Sequence, residues 1–133
     1  MILVDTNILI DLFQNDPVWA QKSIAALAEA AAREKLAINE IIYAELAAGF
    51  DDRETLDREL APLPVEWAAL GKEALALAGR TFHRYRREGG AKNNVLADFF
   101  IGAQASVEGF SILTRDAARY RTYFPDVRLF APK

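Results

Sequence analysis

Short apolar runs alternate with longer stretches of helical character along this chain. Ile2–Val4, Leu36–Ile38, Ser111–Leu113 and Val127–Phe130 read as strands. Helical stretches fill the intervals, so the order argues for an α/β fold with a mainly parallel sheet. Within that frame the spans are specific. Ile8–Phe13 reads as a short helix. Asp16 and Pro17 suit the N-cap and first turn of an alanine-rich helix over Val18–Arg33. Asn39 caps a helix to about Ala48 that Gly49 stops, and Asp51 or Asp52 opens another ending before Pro62. Leu63–Val65 reads as a short strand in which Pro64 excludes a central donor position. A helix is expected from Glu66 to about Ala78, either continuing or breaking at Gly79 before it reaches Glu88. Gly89-Gly90 is the clearest break, within the domain and not between domains. Lys92–Val107 reads as a mostly buried helix ended by Gly109, and Asp116–Tyr120 as a short one.

The chain of 133 residues fits one compact domain, 1–133. With 52% apolar residues it has material for a core, yet no run approaches the roughly 18 apolar residues of a membrane-spanning helix. The N-terminus opens apolar at once and has no basic segment ahead of it, so no signal peptide and no membrane association are expected. That favours the cytoplasm. Cysteine is absent, which excludes thiol chemistry and a disulfide scaffold. A formal net charge of −3 argues against a whole-surface clamp for nucleic acid. The positive charge is local. Arg80, Arg84, Arg86, Arg87 and Lys92 cluster around His83 and Tyr85, and Arg115, Arg119, Arg121 and Arg128 form a second group. Either cluster reads as a solvated helix face or as a phosphate-binding surface.

Four acids stand in apolar settings: Asp5, Glu45, Asp98 and Asp116. A charge on a core element is costly unless it is paired, hydrogen-bonded or bound to metal. Asp5 ends the first strand, where ligand sites of open α/β sheets lie. It reads either as a cap for the next helix or as a ligand. Glu45 shares a helix face with Ile41 and Ile42, although a surface glutamate near the helix end is the alternative. Asp98, between Ala97 and Phe99, is expected well inside a helix, where capping does not explain it. Asn94 lies one turn before it, and Gly102 one turn after, where a missing side chain admits another backbone. Asp116 enters a helix after the strand 111–113, as a cap or a ligand. Thr6, Asn7, Asn94 and Thr114 are accessory candidates, and Arg115 pairs with an acid or a substrate phosphate. Hard oxygen donors without cysteine, and one histidine that reads as a surface residue, favour Mg²⁺ or Mn²⁺ over zinc.

The segments Ile2-Leu3-Val4-Asp5-Thr6-Asn7, Glu45 in its helix, Leu96-Ala97-Asp98-Phe99-Phe100-Ile101-Gly102-Ala103-Gln104-Ala105, Leu113-Thr114-Arg115-Asp116 and Phe124-Pro125-Asp126-Val127-Arg128 occur in an order that resembles the PIN-domain ribonucleases, in particular the VapC-type toxins. The likeness spans essentially the whole chain. It implies a three-layer α/β/α sandwich around a mainly parallel sheet of four or five strands. It also implies Mg²⁺- or Mn²⁺-dependent endoribonuclease activity with Asp5, Glu45, Asp98 and Asp116 at the centre. A homodimer, an inhibiting cognate antitoxin and contact with operator DNA only through that antitoxin follow from the same resemblance. Phe99-Phe100 is bulkier than the small or aliphatic residues common beside the third acid. In this reading Arg80, Arg84, Arg86, Arg87 and Arg115 face RNA phosphates. Two other classes compete. An aspartyl-phosphate phosphatase would want an aspartate where Asn7 stands. A PIN-like module kept for protein or RNA binding would need no chemistry at all.

Overall fold

Five strands, each no longer than three residues, build one sheet in the order β3-β2-β1-β4-β5. They are β1 (Ile2–Val4), β2 (Leu36–Ile38), β3 (Val65–Trp67), β4 (Ser111–Leu113) and β5 (Leu129–Phe130). All neighbours run parallel. The computed structural model describes residues 1–92 and 95–133. Seven helices lie between the strands: α1 (Thr6–Phe13), α2 (Ala20–Arg33), α3 (Glu40–Ala47), α4 (Arg53–Leu60), α5 (Lys72–Arg87), α6 (Leu96–Glu108) and α7 (Ala118–Tyr123).

Every residue of β1, β2 and β4 is buried, which requires helices over both sheet faces. The result is the expected α/β/α sandwich. Ile2, Leu3 and Val4 are wholly enclosed, and each such side chain contributes about 1.5–3 kcal/mol of transfer free energy. The outer strands are more open; Trp67 on β3 is largely exposed. An edge position is where Pro64, just before β3, is tolerated.

Several expected boundaries move, among them the short helix expected over Asp116–Tyr120, which spans Ala118–Tyr123, and the last strand, which shortens to Leu129–Phe130. Residues 65–67 pair with β2 as a strand instead of opening a helix at Glu66. The helix begins only after Gly71 and then runs unbroken past Gly79 to Arg87, since a Cβ at Gly79 would meet nothing and no packing there demands a break. The helix over 96–108 starts later than Lys92, which places Asp98 in its first turn instead of its interior. The caps at Asn39 and Asp52 are as expected, accepting from Ile42 N at 2.9 Å and Thr55 N at 2.8 Å. Asp16 accepts from the amides of Val18 and Trp19, a turn that precedes α2.

Gly102 answers a side chain and not a backbone: a Cβ there would lie 2.3 Å from the ring of Phe124. Phe99 explains the bulk beside Asp98. It is fully buried, with ring centroids of Phe82, Tyr85, Tyr123 and Phe124 at 5.6, 5.4, 5.2 and 6.2 Å. This aromatic cluster binds α5, α6 and the end of α7 to one another.

Candidate active site

The sheet reverses its winding between β1 and β4, which are adjacent although far apart in sequence. In open α/β sheets the crevice beyond the carboxyl ends at such a point is where ligands bind. The register Val4↔Leu113 puts Asp5 beside Thr114, and the amide of Asp5 extends the ladder by donating to Leu113 O at 2.9 Å.

Asp5 is 4% exposed and all its bonds are made by the protein. Oδ1 accepts from the amide of Thr6 at 2.8 Å, capping α1. Oδ2 accepts from Thr114 Oγ1 at 2.8 Å and from the Tyr120 hydroxyl at 3.0 Å. Capping thus uses one oxygen of Asp5, and two hydroxyls hold the other. Thr114 Oγ1 in turn accepts from Asn7 Nδ2 at 3.3 Å and from the amide of Asp116 at 3.0 Å. Asn7 Oδ1 accepts from the amide of Arg115 at 3.1 Å. Thr6, Asn7 and Thr114 thus form the frame that fixes Asp5 and shapes the loop carrying Asp116.

Glu45 is an exposed residue of α3, and its Oε1 accepts from Thr6 Oγ1 at 2.6 Å. Asp98 is half-buried and forms an ion pair with Arg119 of α7. It does not cap α6, whose N-cap is Val95 without a side-chain bond. Asp116 is exposed, and the N-cap of α7 is Ala117, so Asp116 does not cap either. The accessory candidate Asn94 lies outside the described residues.

The acids feel one another. Burial, with the Asp98 charge added, pushes the Asp5 carboxyl up to about 6. Glu45 is raised by burial first and by Asp98 as well. Asp98 is itself raised by burial and by Asp116, against the pull of Arg119. The Tyr120 phenol is pushed well up by burial and then by Asp5, Asp98 and Glu45 together. Asp98 is the hub through which the set is coupled.

Clustered carboxylates of this kind repel unless protonated or offset by a cation, and a set of oxygen donors only suits a hard dication. Among the described residues, no three or more His, Cys, Asp or Glu side chains stand at the spacing that would hold a metal ion. Donors from Thr6, Thr114, Tyr120 and Arg119 meet their oxygens instead. The donor chemistry fits Mg²⁺ or Mn²⁺, and the carboxylates of Asp5, Glu45 and Asp98 are each bonded by the protein.

The arginines divide. Arg80 and Arg87 are exposed on α5. Arg84 lies over the Tyr123 ring at 5.2 Å, with Glu88 3.9 Å from its Nε, and Arg86 lies over Phe82 at 6.0 Å. The basic end of α5 therefore abuts α7, the helix that brings Arg119 and Tyr120 to the acids. His83 is exposed, as expected. Arg115 is committed elsewhere: its Nε and NH2 bond Asp11 at 2.8 and 2.9 Å, and its guanidinium lies over Trp19 at 4.7 Å. Of the two partners open to Arg115, the acid holds it.

Asp11 and Tyr120 are not among the candidates read from the sequence, where Arg119 stands only as a member of the second basic group. Asp11 carried a usable signal, an acid within the apolar run Ile8–Phe13; it is 2% exposed and also accepts from Ser23 Oγ at 2.7 Å. Arg119 and Tyr120 carried none, because their role depends on the angle at which α7 returns over the sheet.

Comparison with known proteins agrees with this geometry. The family model for the PIN domain matches residues 2–125. Ribonuclease VapC19 of Mycobacterium tuberculosis is 30% identical over 129 residues, covering 96% of this chain and 98% of that protein. Among solved structures, VapBC2 from Rickettsia felis bound to a promoter DNA fragment matches over 100% of both chains, with TM-score 0.76 and 20% identity. VapBC-1 from nontypeable Haemophilus influenzae matches over 98% of both, with TM-score 0.71 and 23% identity. At that identity these structures speak for the fold. Family match and relative agree: the chain belongs to the PIN-domain family, and within it to the VapC type.

Proposed function

We propose that this protein is a Mg²⁺- or Mn²⁺-dependent endoribonuclease that acts as the toxin of a toxin–antitoxin pair. The observation that carries the reading is that Asp5 ends β1 at the switch point of the sheet, where Thr6 meets Glu45 and where Tyr120 and Arg119, neighbours on α7, meet Asp5 and Asp98. The relative named as a ribonuclease supports it. Asp5, Asp98 and Asp116 would hold the cation, with Glu45 as a further ligand or the group that orients water. A dication there makes water nucleophilic at neutral pH and offsets charge on the attacked phosphate.

The chain's own residues do the rest. Thr114 and Tyr120 keep Asp5 in one rotamer, and Thr6 does the same for Glu45. In-line attack on an RNA phosphodiester leaves a 5′-phosphate and a 3′-hydroxyl. Arg80, Arg84, Arg86 and Arg87 contact flanking phosphates, which sets affinity and position but not base choice. Single-stranded or loop RNA suits a recessed acidic centre better than a duplex does. The structurally similar complexes include VapBC from Salmonella typhimurium bound to DNA and a toxin-antitoxin complex from Klebsiella pneumoniae. By that analogy the partners are a cognate antitoxin and, through it, operator DNA; a second copy of this chain and a cytoplasmic location rest on the sequence reading and its family resemblance alone. Among the described residues no helix is long and apolar enough to cross a membrane.

Incubating wild type, D5N and D98N with structured RNA, in Mg²⁺ or in EDTA, tests the reading. Metal-dependent cleavage lost in both variants is expected. Phosphate release from small esters without RNA cleavage would hand the case to the phosphatase, and RNA binding without either reaction to the binding module. The phosphatase is already disfavoured because Asn7, at its acid/base position, is held by Thr114 and the amide of Arg115.

A further inference from the structure

Two Arg–Asp pairs stand at the carboxyl end of the sheet, and they differ in kind. Arg115 bonds Asp11 through two nitrogens, and that aspartate is sealed and also bonded to Ser23. Arg119 reaches Asp98 through NH1, with 21% and 28% of the two side chains exposed. Breaking the first leaves a sealed carboxylate, whereas Asp98 keeps more than a quarter of its side chain open to solvent and meets a single arginine nitrogen, so that it can exchange one cationic partner for another.

The second pair also occupies a contested place. Asp98 is one of the acids that would hold the cation in the reading above, and Arg119 already occupies its Oδ2. A guanidinium and a dication cannot share the same carboxylate oxygens without repelling each other. When Arg119 leaves Asp98 it remains tethered on α7, beside Tyr123 over which Arg84 lies. A guanidinium freed on that helix has the planar fork that grips a phosphate bidentately.

We propose that Arg119 is an exchangeable placeholder: it neutralises Asp98 while the centre is empty, is displaced by the divalent cation, and then binds a phosphate of the RNA strand. The inference rests on the metal-nuclease reading above. It makes arrival of the cation the event that completes the RNA-binding surface.

The test is a calorimetric titration of Mn²⁺ into wild type, R119Q and R119K, followed by measurement of affinity for a phosphorothioate single-stranded RNA in saturating Mn²⁺. Removing the competitor should tighten Mn²⁺ binding by R119Q about fivefold, the scale of an exposed ion pair, and weaken RNA binding by a similar factor. R119K keeps the charge, so its Mn²⁺ affinity should stay near wild type while its RNA affinity falls for want of the fork. Opposite signs in R119Q are the signature, because a merely structural arginine would lower both affinities together with Tm. Equal or weaker Mn²⁺ binding by R119Q overturns the proposal while leaving the nuclease reading intact. No Mn²⁺ binding by wild type overturns both. Should R119Q not fold, R119K decides: RNA affinity equal to wild type would refute the phosphate role.

Discussion

The Tyr120 hydroxyl donates to Oδ2 of Asp5 at 3.0 Å, and the same oxygen accepts from Thr114 Oγ1 at 2.8 Å. One carboxylate oxygen of a sealed acid is thus held from both β4 and α7. Y120F deletes one of these donors and returns no water to the site. We expect a loss of about 1–3 kcal/mol in urea unfolding at pH 7.5, where Asp5 is ionised, and a smaller loss at pH 5. An equal loss at both pH values would mean that the hydroxyl is not serving the charged form.

Asp5 makes the empty protein pH-sensitive in an unusual direction. Its folded pKa, about 6, lies above the ordinary 3.8. The folded state therefore binds more protons across that window, and stability falls as pH rises through it. The effect is bounded at about 3 kcal/mol by the size of the shift. Thermal melts in EDTA should give a higher Tm near pH 5 than near pH 7.5, and D5N should flatten the difference. Mn²⁺ at pH 7.5 should restore the lost stability to wild type and not to D5N.

Asp11 anchors Arg115 by two bonds and Ser23 by a third. Truncation to alanine leaves a partly buried guanidinium and a buried hydroxyl without their acceptor. D11A should lose about 3 kcal/mol, toward the low end for a broken buried pair because Arg115 is partly exposed. Chemical denaturation measures this, and a cost below about 1 kcal/mol would show the pair to be replaceable by water.

Gly102 and Phe124 are fitted to each other. The Cβ of G102A would stand 2.3 Å from the Phe124 ring, a clash that costs about 1–3 kcal/mol unless the ring moves. F124L alone opens space in the aromatic cluster. The double variant should therefore be more stable than the sum of the two single losses predicts. Strict additivity in a double-mutant cycle would show that the ring is not what excludes the methyl group.

The strands and caps were legible because their signals are local. Ile2–Val4, Leu36–Ile38 and Ser111–Leu113 are short apolar runs, and Asn39 and Asp52 are side-chain caps whose bonds reach only three residues along the chain. Residues 65–67 misled because Glu66 and Trp67 look like the opening of a helix, and only pairing with β2 makes them a strand. Asp5, Glu45 and Asp98 could be picked out because an acid among apolar residues is visible in one dimension. Arg119 and Tyr120 could not, since their partners lie in other elements and an arginine on a short helix looks like solvated surface. Arg115 was ambiguous for the same reason, and Asp11, an acid in an apolar run, was the one missed signal.

The ladder between β1 and β4 has a bearing on biosynthesis. Two of the three donors to the Asp5 carboxylate, Thr114 and Tyr120, are separated from it by 109 and 115 positions. The sheet cannot receive its central partner strand until β4 has left the ribosome, and α7 emerges later still. The centre is consequently among the last parts of the molecule to be assembled. A chain stalled before β4 carries Asp5, Glu45 and Asp98 without Thr114 and Tyr120, so the Asp5 carboxylate lacks the two long-range donors that hold it.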